Sequence, residues 1–215
     1  MKQLLKENKY FLIPYLVTLI IGGILLIIYT KPELHILSNK YNSVFFDFFF
    51  KYATSLGNGV MIAILFIILL FAKFRYAFAF LIIGLLTSAV VNILKKLVLD
   101  NIYRPSKYFE LYETYQLHFV DGVKLHSLQS FPSGHTGTSF NVFLTLAIIT
   151  KNKFLKLTYF ILAALVAYSR VYLSQHFMID IVVGSIIAVI LTLFIFNWFN
   201  NIDKMWLDKS IIRRK

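Results

Sequence analysis

The stretch FPSGHTGTSFNVFLTLAII, residues 131–149, places a proline, a serine, a glycine and a histidine directly before a long apolar run. A turn would account for Pro132 and Gly134, but not for His135. The apolar run predicts a membrane helix. The stretch therefore indicates a helix whose polar first turn does more than reverse the chain.

The composition of the 215-residue chain is that of a membrane protein. Hydrophobic residues make up 59% and charged residues 15%, whereas soluble proteins contain about 45–50% apolar and about 25% charged residues. The chain has no cysteine, which excludes disulfides and thiolate metal sites. A net charge of +12 is typical of cytoplasmic and lipid-facing Lys and Arg in such a protein. We therefore expect membrane lipids, and no nucleic acid, as partners.

Hydropathy predicts six membrane spans in a single all-α domain, residues 1–215. The predicted spans are residues 11–29, 59–73, 76–98, 136–150, 154–172 and 178–199. The first is interpreted as a retained span because no small-residue cleavage site follows it. With both termini in the cytoplasm, the inner segments hold 13 of the 22 Lys and Arg and the outer segments the other 9. This excess favours the orientation with both termini in the cytoplasm. We therefore expect a six-helix bundle and, in a bacterium, the inner membrane as its location.

Two outer segments are more than simple connections. Residues 41–58 are aromatic, and Asp47 and Lys51 are spaced to pair on one face of a helix. This pattern favours an interfacial helix, with a ragged extension of the second span as the alternative. Residues 100–134 form a long segment rich in Tyr and Phe, which suits the level of the lipid headgroups.

Three polar stretches fall at the ends of predicted spans. They are KKLVLDNIYRP (95–105), PSGH (132–135) and SRVYLSQHFMID (169–180). Because successive spans alternate in direction, all three ends lie on the outer side of the membrane, facing the periplasm or the exterior. The topology therefore predicts one site built from residues within 95–180.

Several residues of these stretches are suited to binding phosphate. Cations near membrane depth are costly and are functional candidates, and several cations around one point require an anion. The first turn of a helix adds unpaired N–H groups that favour anions, and a serine there can cap the helix or donate to a phosphate oxygen. The phosphate-binding candidates are Lys96 (with Lys95 as the alternative), Arg104, Ser133, Gly134 and Arg170.

The catalytic candidates are His176, Asp180 and His135. His176 and Asp180 are four residues apart, so a helix that begins near His176 places them on one face. A carboxylate that binds one imidazole nitrogen leaves the other nitrogen free to attack. His135 can protonate the leaving oxygen. Together with the cations, these residues complete the set that phosphoryl transfer needs.

These motifs resemble those of the type 2 phosphatidic acid phosphatase superfamily, which also includes the more distant vanadium haloperoxidases. PSGH (132–135) matches fully, and so does SRVYLSQHFMID (169–180), in which five residues separate Arg170 from the histidine and three separate the histidine from the aspartate. The first motif of the family is a lysine followed, after six residues, by Arg-Pro. This chain departs from it, because seven residues separate Lys96 from Arg104.

The resemblance implies the role of each matched residue. His176 would form a phosphohistidine, Asp180 would orient it, and His135 would protonate the leaving group and then activate water. The phosphate-binding candidates named above would hold the phosphate oxygens, with no metal and no other cofactor. We therefore expect a metal-independent membrane lipid phosphatase.

The substrate ranked first is undecaprenyl diphosphate, followed by phosphatidylglycerophosphate, phosphatidic acid and a lipid A phosphate. A non-catalytic phospholipid-binding or transport protein is the alternative of another class, but it has no need of two histidines and an orienting aspartate. A vanadate-dependent haloperoxidase is disfavoured because those relatives are soluble. The remaining histidines, His35, His118 and His126, fit no zinc spacing and are interpreted as loop residues. The sequence does not indicate an oligomeric state.

Overall fold

The computed structural model describes residues 1–98 and 100–212, the side chains of residues 97 and 98 excepted. Within that part of the chain the protein is helical and has no β-strand. The α-helices are α1 (Lys2–Glu7), α2 (Lys9–Ile28), α3 (Lys31–Lys40), α4 (Val44–Ala53), α5 (Gly59–Ala72), α6 (Phe74–Ile93), α7 (Pro105–Tyr112), α8 (Gly134–Ile149), α9 (Lys153–Tyr172) and α10 (Met178–Asn200). There are also 3₁₀ turns at Thr54–Gly57 and Met205–Asp208 and a π turn at Leu94–Val98. Leu99 of the first motif, and Arg213, Arg214 and Lys215 of the charge count, lie outside the described residues.

The six apolar segments all form helices, whose ends agree with the predicted bounds within about two residues where the chain is helical throughout. Helices α2, α6, α9 and α10 are long and apolar enough to cross a membrane. Val44–Gly57 and α5 meet at a bend of 54° and would add a fifth span if they cross together. Helix α8 has 16 residues, fewer than the roughly 20 of a typical span. The all-α class is therefore confirmed, and the count of six spans stays a prediction.

Helix α8 lies at the centre of the bundle, where it packs against α5, α6, α9 and α10. Two glycines allow neighbouring backbone to approach the first turn of α8. A Cβ atom on Gly184 of α10 would lie 2.5 Å from the carbonyl oxygen of Ser133, and one on Gly57 would lie 2.8 Å from that of His135. This close approach brings α10 and the 3₁₀ turn before α5 against the PSGH stretch.

The two ends of the bundle differ in chemistry. We call the end that carries PSGH and SRVYLSQHFMID the motif end. At the opposite end, Asp208 pairs with Arg75 at 2.7 Å and with Lys73 at 3.1 Å. There too, the Lys156 ammonium donates to Asn8 at 2.7 Å.

Helix α3 covers part of the motif end, and it corrects the interpretation of His35. The helix begins with a capping box, in which the Thr30 N–H and hydroxyl both donate to the Glu33 carboxylate. His35 is therefore helical, and its side chain is buried, with Nε2 3.1 Å from the Ser174 hydroxyl. The loop assignment was wrong for His35, because the cap starts a helix where hydropathy shows none.

Helix α4 is attached to the bundle through side chains that the sequence paired differently. Asp47 does not pair with Lys51: its carboxylate accepts from the Tyr172 hydroxyl at 2.5 Å and lies 2.9 Å from His118 Nε2. Lys51 donates to the carbonyl oxygen of Asp121 at 2.5 Å. Tertiary partners therefore replace the local pair. The interfacial position of α4 stays a prediction.

Candidate active site

All three polar stretches meet at one cavity of about 260 Å³ at the motif end. Its lining residues are Thr54, Lys95, Arg104, Val123, Lys124, His126, Gly134, His135, Arg170, Leu173, Gln175 and His176. The lining residues that belong to the motifs therefore lie together, as the alternation of the spans predicts. We call the buried lining residues the floor of the cavity and the exposed ones its mouth.

A tight turn after α9 delivers His176 to the floor of the cavity. Ser174 adopts a left-handed conformation with φ 51°, which is uncommon for a residue other than glycine. The backbone N–H groups of Gln175 and His176 both donate to the carbonyl oxygen of Arg170. The turn thus folds the chain back over the end of α9, so His176 lies beside Arg170 just before α10 begins.

Asp180, in the first turn of α10, holds the His176 ring. One oxygen, Oδ2, lies 3.4 Å from His176 Nδ1 and accepts from the Phe177 N–H at 2.9 Å and from the Ser130 hydroxyl. A proton on Nδ1 that points at this carboxylate leaves Nε2 with a lone pair. Arg104 Nη1 lies 3.5 Å from Nε2, so the free nitrogen faces the cationic part of the cavity.

Burial lowers the pKa of His176 to about 3, and the positive charges of Arg104 and Arg170 act in the same direction. The hydrogen bond and charge of Asp180 oppose this shift without reversing it. His176 is therefore neutral at pH 7, which is the protonation state in which an imidazole can act as a nucleophile.

His135 stands in the first turn of α8. Ser133 caps this helix: its side chain is fully buried, and its hydroxyl oxygen accepts from the N–H and the hydroxyl of Thr136. Gly134 and His135 line the cavity, whereas Ser133 is not a lining residue. His135 Nε2 is 2.7 Å from Asn58 Oδ1, so Asn58, between the 3₁₀ turn and α5, fixes the orientation of the ring.

Two arginines on the floor of the cavity have different environments. Arg104 donates to the carbonyl oxygens of Leu128 at 2.9 Å and Gln175 at 3.0 Å. Arg170 is 7% exposed, and its Nη1 donates to the Thr54 hydroxyl at 2.7 Å, but its Nε has no partner. A buried guanidinium with an unused donor is well suited to an anion that enters the cavity.

The structure places Lys95, not Lys96, in the cavity. Lys95 is half-buried and lines the wall, whereas Lys96 is exposed and is not a lining residue. Both belong to the π turn Leu94–Val98. A π turn rotates its side chains out of α-helical register, so motif spacing alone does not identify which lysine faces the cavity.

We expect substitution of the two lysines to separate their roles. Lys95→Gln should lower kcat/KM by about 10- to 150-fold, the effect of losing one charge-assisted hydrogen bond of about 1.5–3 kcal/mol. Lys96→Gln is the matched control and should stay within about two-fold of wild type. Phosphate-release kinetics on the two purified variants decide the point, and a larger loss in Lys96→Gln would contradict the placement.

Several residues of the site were missed by sequence reasoning. Thr54, Asn58 and Ser130 each contact a motif residue, but none belongs to a motif. The contacts span large separations, for example 116 residues from Thr54 to Arg170. No periodicity or spacing in a single sequence could have identified them.

Comparisons with known proteins agree with this geometry. The PAP2 superfamily model matches residues 73–204, which include every motif residue. A protein named lipid A 4'-phosphatase, from Porphyromonas gingivalis, is 28% identical over 174 residues, which are 76% of this chain and 70% of that protein.

Two solved structures have a similar fold. The crystal structure of Aquifex aeolicus LpxE matches with a TM-score of 0.68 and 25% identity, over 79% of this chain and 96% of that one. The crystal structure of a transmembrane PAP2 type phosphatidylglycerolphosphate phosphatase from Bacillus subtilis matches with a TM-score of 0.64 and 19% identity, over 91% and 99%.

The resemblance inferred from the motifs is thereby confirmed, and so is the interpretation as a hydrolase rather than a binding protein. The family match covers more than half of the chain, the helices are those of a membrane protein, and the matched region contains the cavity's motif residues. The chain belongs to the PAP2 superfamily and is an integral membrane phosphatase that hydrolyses phosphate esters.

Proposed function

We propose that this protein removes a phosphate group from a membrane lipid through a covalent intermediate on His176, without a metal ion. The observation that carries the proposal is the hydrogen bond between His176 Nδ1 and the buried Asp180 carboxylate, at 3.4 Å, within a cavity lined by Lys95, Arg104 and Arg170. An oriented neutral imidazole that faces several cations is arranged to attack a phosphorus atom.

The reaction has two steps with balanced proton transfers. In the first, the Nε2 lone pair of His176 forms a bond to phosphorus, the bond from phosphorus to the lipid oxygen breaks, and His135 gives that oxygen a proton. In the second, water attacks the phosphorus, His135 takes a proton from it, and the bond to His176 breaks to release inorganic phosphate. Asp180 stabilises the positive charge that develops on the His176 ring.

The phosphate oxygens would be held by Lys95, Arg104, Arg170 and the first turn of α8 at Gly134. We assign this role to Lys95 and not to Lys96, because Lys95 lines the cavity. We give Ser133 the role of helix cap, since its side chain is fully buried and it is not a lining residue of the cavity. These groups concentrate positive charge where the three non-bridging oxygens become most negative in the transition state.

The shape of the site supports a lipid as the leaving group. A second cavity of about 240 Å³, which we call the helix slot, shares Lys95, Gly134 and His135 with the first cavity. The slot continues among α5, α6 and α8; its other lining residues are Gly57, Gly59, Ile62, Gly84, Thr87, Ser88, Val91, Asn92 and Thr138. The leaving oxygen carries the lipid and must lie near His135, so the slot begins where the acyl or prenyl chain would depart.

Narrowing the helix slot should impair lipid substrates selectively. A Cβ atom on Gly59 meets nothing within 4 Å, so Gly59→Leu can be accommodated while its side chain occupies part of the slot. We expect about a ten-fold loss of kcat/KM for a long-chain lipid phosphate, or about 1.4 kcal/mol, and little loss for p-nitrophenyl phosphate.

Gly23→Leu on α2 is the matched control, because a Cβ atom there also meets nothing within 4 Å and Gly23 is not a lining residue of the slot. Equal losses for both substrates in Gly59→Leu, with normal activity in Gly23→Leu, would show that the slot does not hold the chain.

Two lipids head the list of substrates. Undecaprenyl diphosphate is the first choice that the family resemblance implies, and the name of the P. gingivalis relative adds phosphorylated lipid A at the same rank. Phosphatidylglycerophosphate and phosphatidic acid follow. The test is phosphate release from all four lipids by detergent-purified protein, with EDTA present and with His176→Ala as control.

Release that resists EDTA and disappears in the variant would support the mechanism, and the order of rates would identify the substrate. Release that EDTA abolishes would overturn the metal-independent mechanism. No release from any lipid by folded protein would overturn the proposed substrate class.

We further propose six membrane crossings, with α5 and α8 completed by their polar flanks. Both termini would lie in the cytoplasm of a bacterial cell and the motif end would face the periplasm or the exterior, as the excess of basic residues on the inner side favours. Because the chain has no cysteine, single cysteines can report this directly. In intact cells an impermeant maleimide should label Lys107→Cys but not Lys204→Cys; the reverse pattern would invert the topology.

A further inference from the structure

Two basic residues that belong to none of the three motifs line the mouth of the catalytic cavity. Lys124 and His126 both contribute to its wall, and both are exposed, unlike the buried His176 and Arg170. They lie in the segment 123–129, which we call the strap. A substrate phosphate bound on the floor would leave these two side chains at the entrance.

Hydrogen bonds fix the strap against the floor of the cavity. The Lys124 carbonyl oxygen accepts from Gln175 Nε2 at 3.1 Å, and the His126 carbonyl oxygen accepts from the Ser106 hydroxyl at 3.3 Å. The Ser127 carbonyl oxygen accepts from the Arg104 N–H at 2.9 Å. Arg104 also binds the next carbonyl with its side chain. The backbone from which Lys124 and His126 project is thus held by Arg104 and Gln175 of the floor and by Ser106 of α7.

The charges around the cavity exceed what a single phosphate requires. Lys95 on the wall and Arg104 and Arg170 on the floor supply three positive charges, and Asp180 behind His176 supplies one negative charge, so the sum is 3 − 1 = +2. This balances a phosphate monoester, which carries about −1.5 to −2 at pH 7. Lys124 adds a further positive charge, and the lining residues, all within the described chain, include no Asp or Glu.

The environment of His126 agrees with this excess of positive charge. Partial burial lowers the pKa of His126, and the charges of Arg104, Lys124, Arg170 and Lys95 lower it further. The ring therefore lies within the field of the cationic cavity. A second anion placed between His126 and Lys124 would relieve the repulsion among these groups.

We propose that Lys124 and His126 form a second anion subsite, which binds the phosphoryl group that stays with the lipid when the substrate is a diphosphate. The subsite lies in the same small cavity as His176, so the second negative charge must be adjacent to the first, as in a diphosphate. In a substrate whose two phosphates are joined through a disaccharide, the phosphates would lie too far apart to bind in this one cavity. The inference rests on the proposed function and narrows its substrate class to lipid diphosphates.

The test compares farnesyl diphosphate with farnesyl monophosphate, which share the same hydrocarbon chain. We expect the ratio of kcat/KM for diphosphate over monophosphate to fall about ten-fold in Lys124→Gln and further in Lys124→Gln/His126→Gln. The control is Lys107→Gln, which removes another partly exposed lysine of the motif end, one that pairs with Glu110 at 3.0 Å outside the cavity. The control should leave the ratio at the wild-type value.

An unchanged ratio in the double variant would overturn the subsite, even if both activities fall together. A wild-type protein that hydrolyses neither lipid would overturn the proposed function, and binding then decides the subsite separately. In isothermal titration, inorganic pyrophosphate should bind the wild type more tightly than inorganic phosphate, and the double variant should lose that difference. Equal affinities of the wild type for the two anions would contradict the subsite.

Discussion

His176→Ala should lower phosphate release by about 10⁴-fold or more, the range observed when the nucleophile of a covalent mechanism is removed. The reason is that His176 supplies the attacking nitrogen. Its Nδ1 lies 3.4 Å from Asp180, which leaves Nε2 free, and no other lining residue has an imidazole held by a carboxylate in this way. Initial rates on a lipid phosphate in detergent measure the effect.

Two further variants make this result specific. His176→Asn keeps more of the buried volume and should be as inactive as His176→Ala, with an unfolding midpoint closer to that of wild type. His118→Ala removes a histidine that pairs with Asp47 outside the cavity, and it should retain most of the activity. Activity of His176→Ala within ten-fold of wild type would remove His176 from the role of nucleophile.

His135→Asn should lower the rate by about 10²- to 10⁴-fold on an alkyl phosphate, the usual contribution of a general acid or base. The loss should depend on the leaving group. An alkoxide needs a proton to depart, whereas p-nitrophenolate leaves without one, so the first step should be restored in part with p-nitrophenyl phosphate.

The same variant should then accumulate the intermediate, because water still lacks its base in the second step. Stopped-flow absorbance should show a burst of p-nitrophenol, close to one per active site, followed by slow turnover. An equal loss for both leaving groups, with no burst, would mean that His135 does not transfer the proton. Asn58→Ala removes the amide 2.7 Å from His135 Nε2 and should show a weaker form of the same behaviour.

Much of the fold could be predicted from sequence because it depends on local hydropathy. The helices of the six apolar segments end close to the predicted bounds, since the polarity of each segment changes sharply at its ends. Helix α3 was missed, although Thr30 and Glu33 have the spacing of a capping box and Pro32 suits a first turn. Its composition is polar, so a search based on hydropathy passes over it.

The catalytic centre could be predicted in part, because several of its residues belong to motifs that the sequence shows directly. His135, Arg170 and His176 follow from two intact motifs and line one cavity. The choice between Lys95 and Lys96 could not be made from spacing, since it depends on a π turn. Lys124 and His126 could not be found either, because the strap reaches the cavity through hydrogen bonds to Arg104 and Gln175, and these form only in the folded chain.

The central claim is a covalent phosphohistidine at position 176, and trapping it is the most direct test. His135→Asn protein would be mixed with ³²P-labelled p-nitrophenyl phosphate, whose leaving group departs without a proton, quenched in alkali within one turnover and digested for peptide mapping. We expect label that survives alkali, is lost in acid and maps to the peptide containing His176, at close to one per active site. Release of inorganic phosphate without such label, or label on a different residue, would contradict a phosphohistidine at position 176.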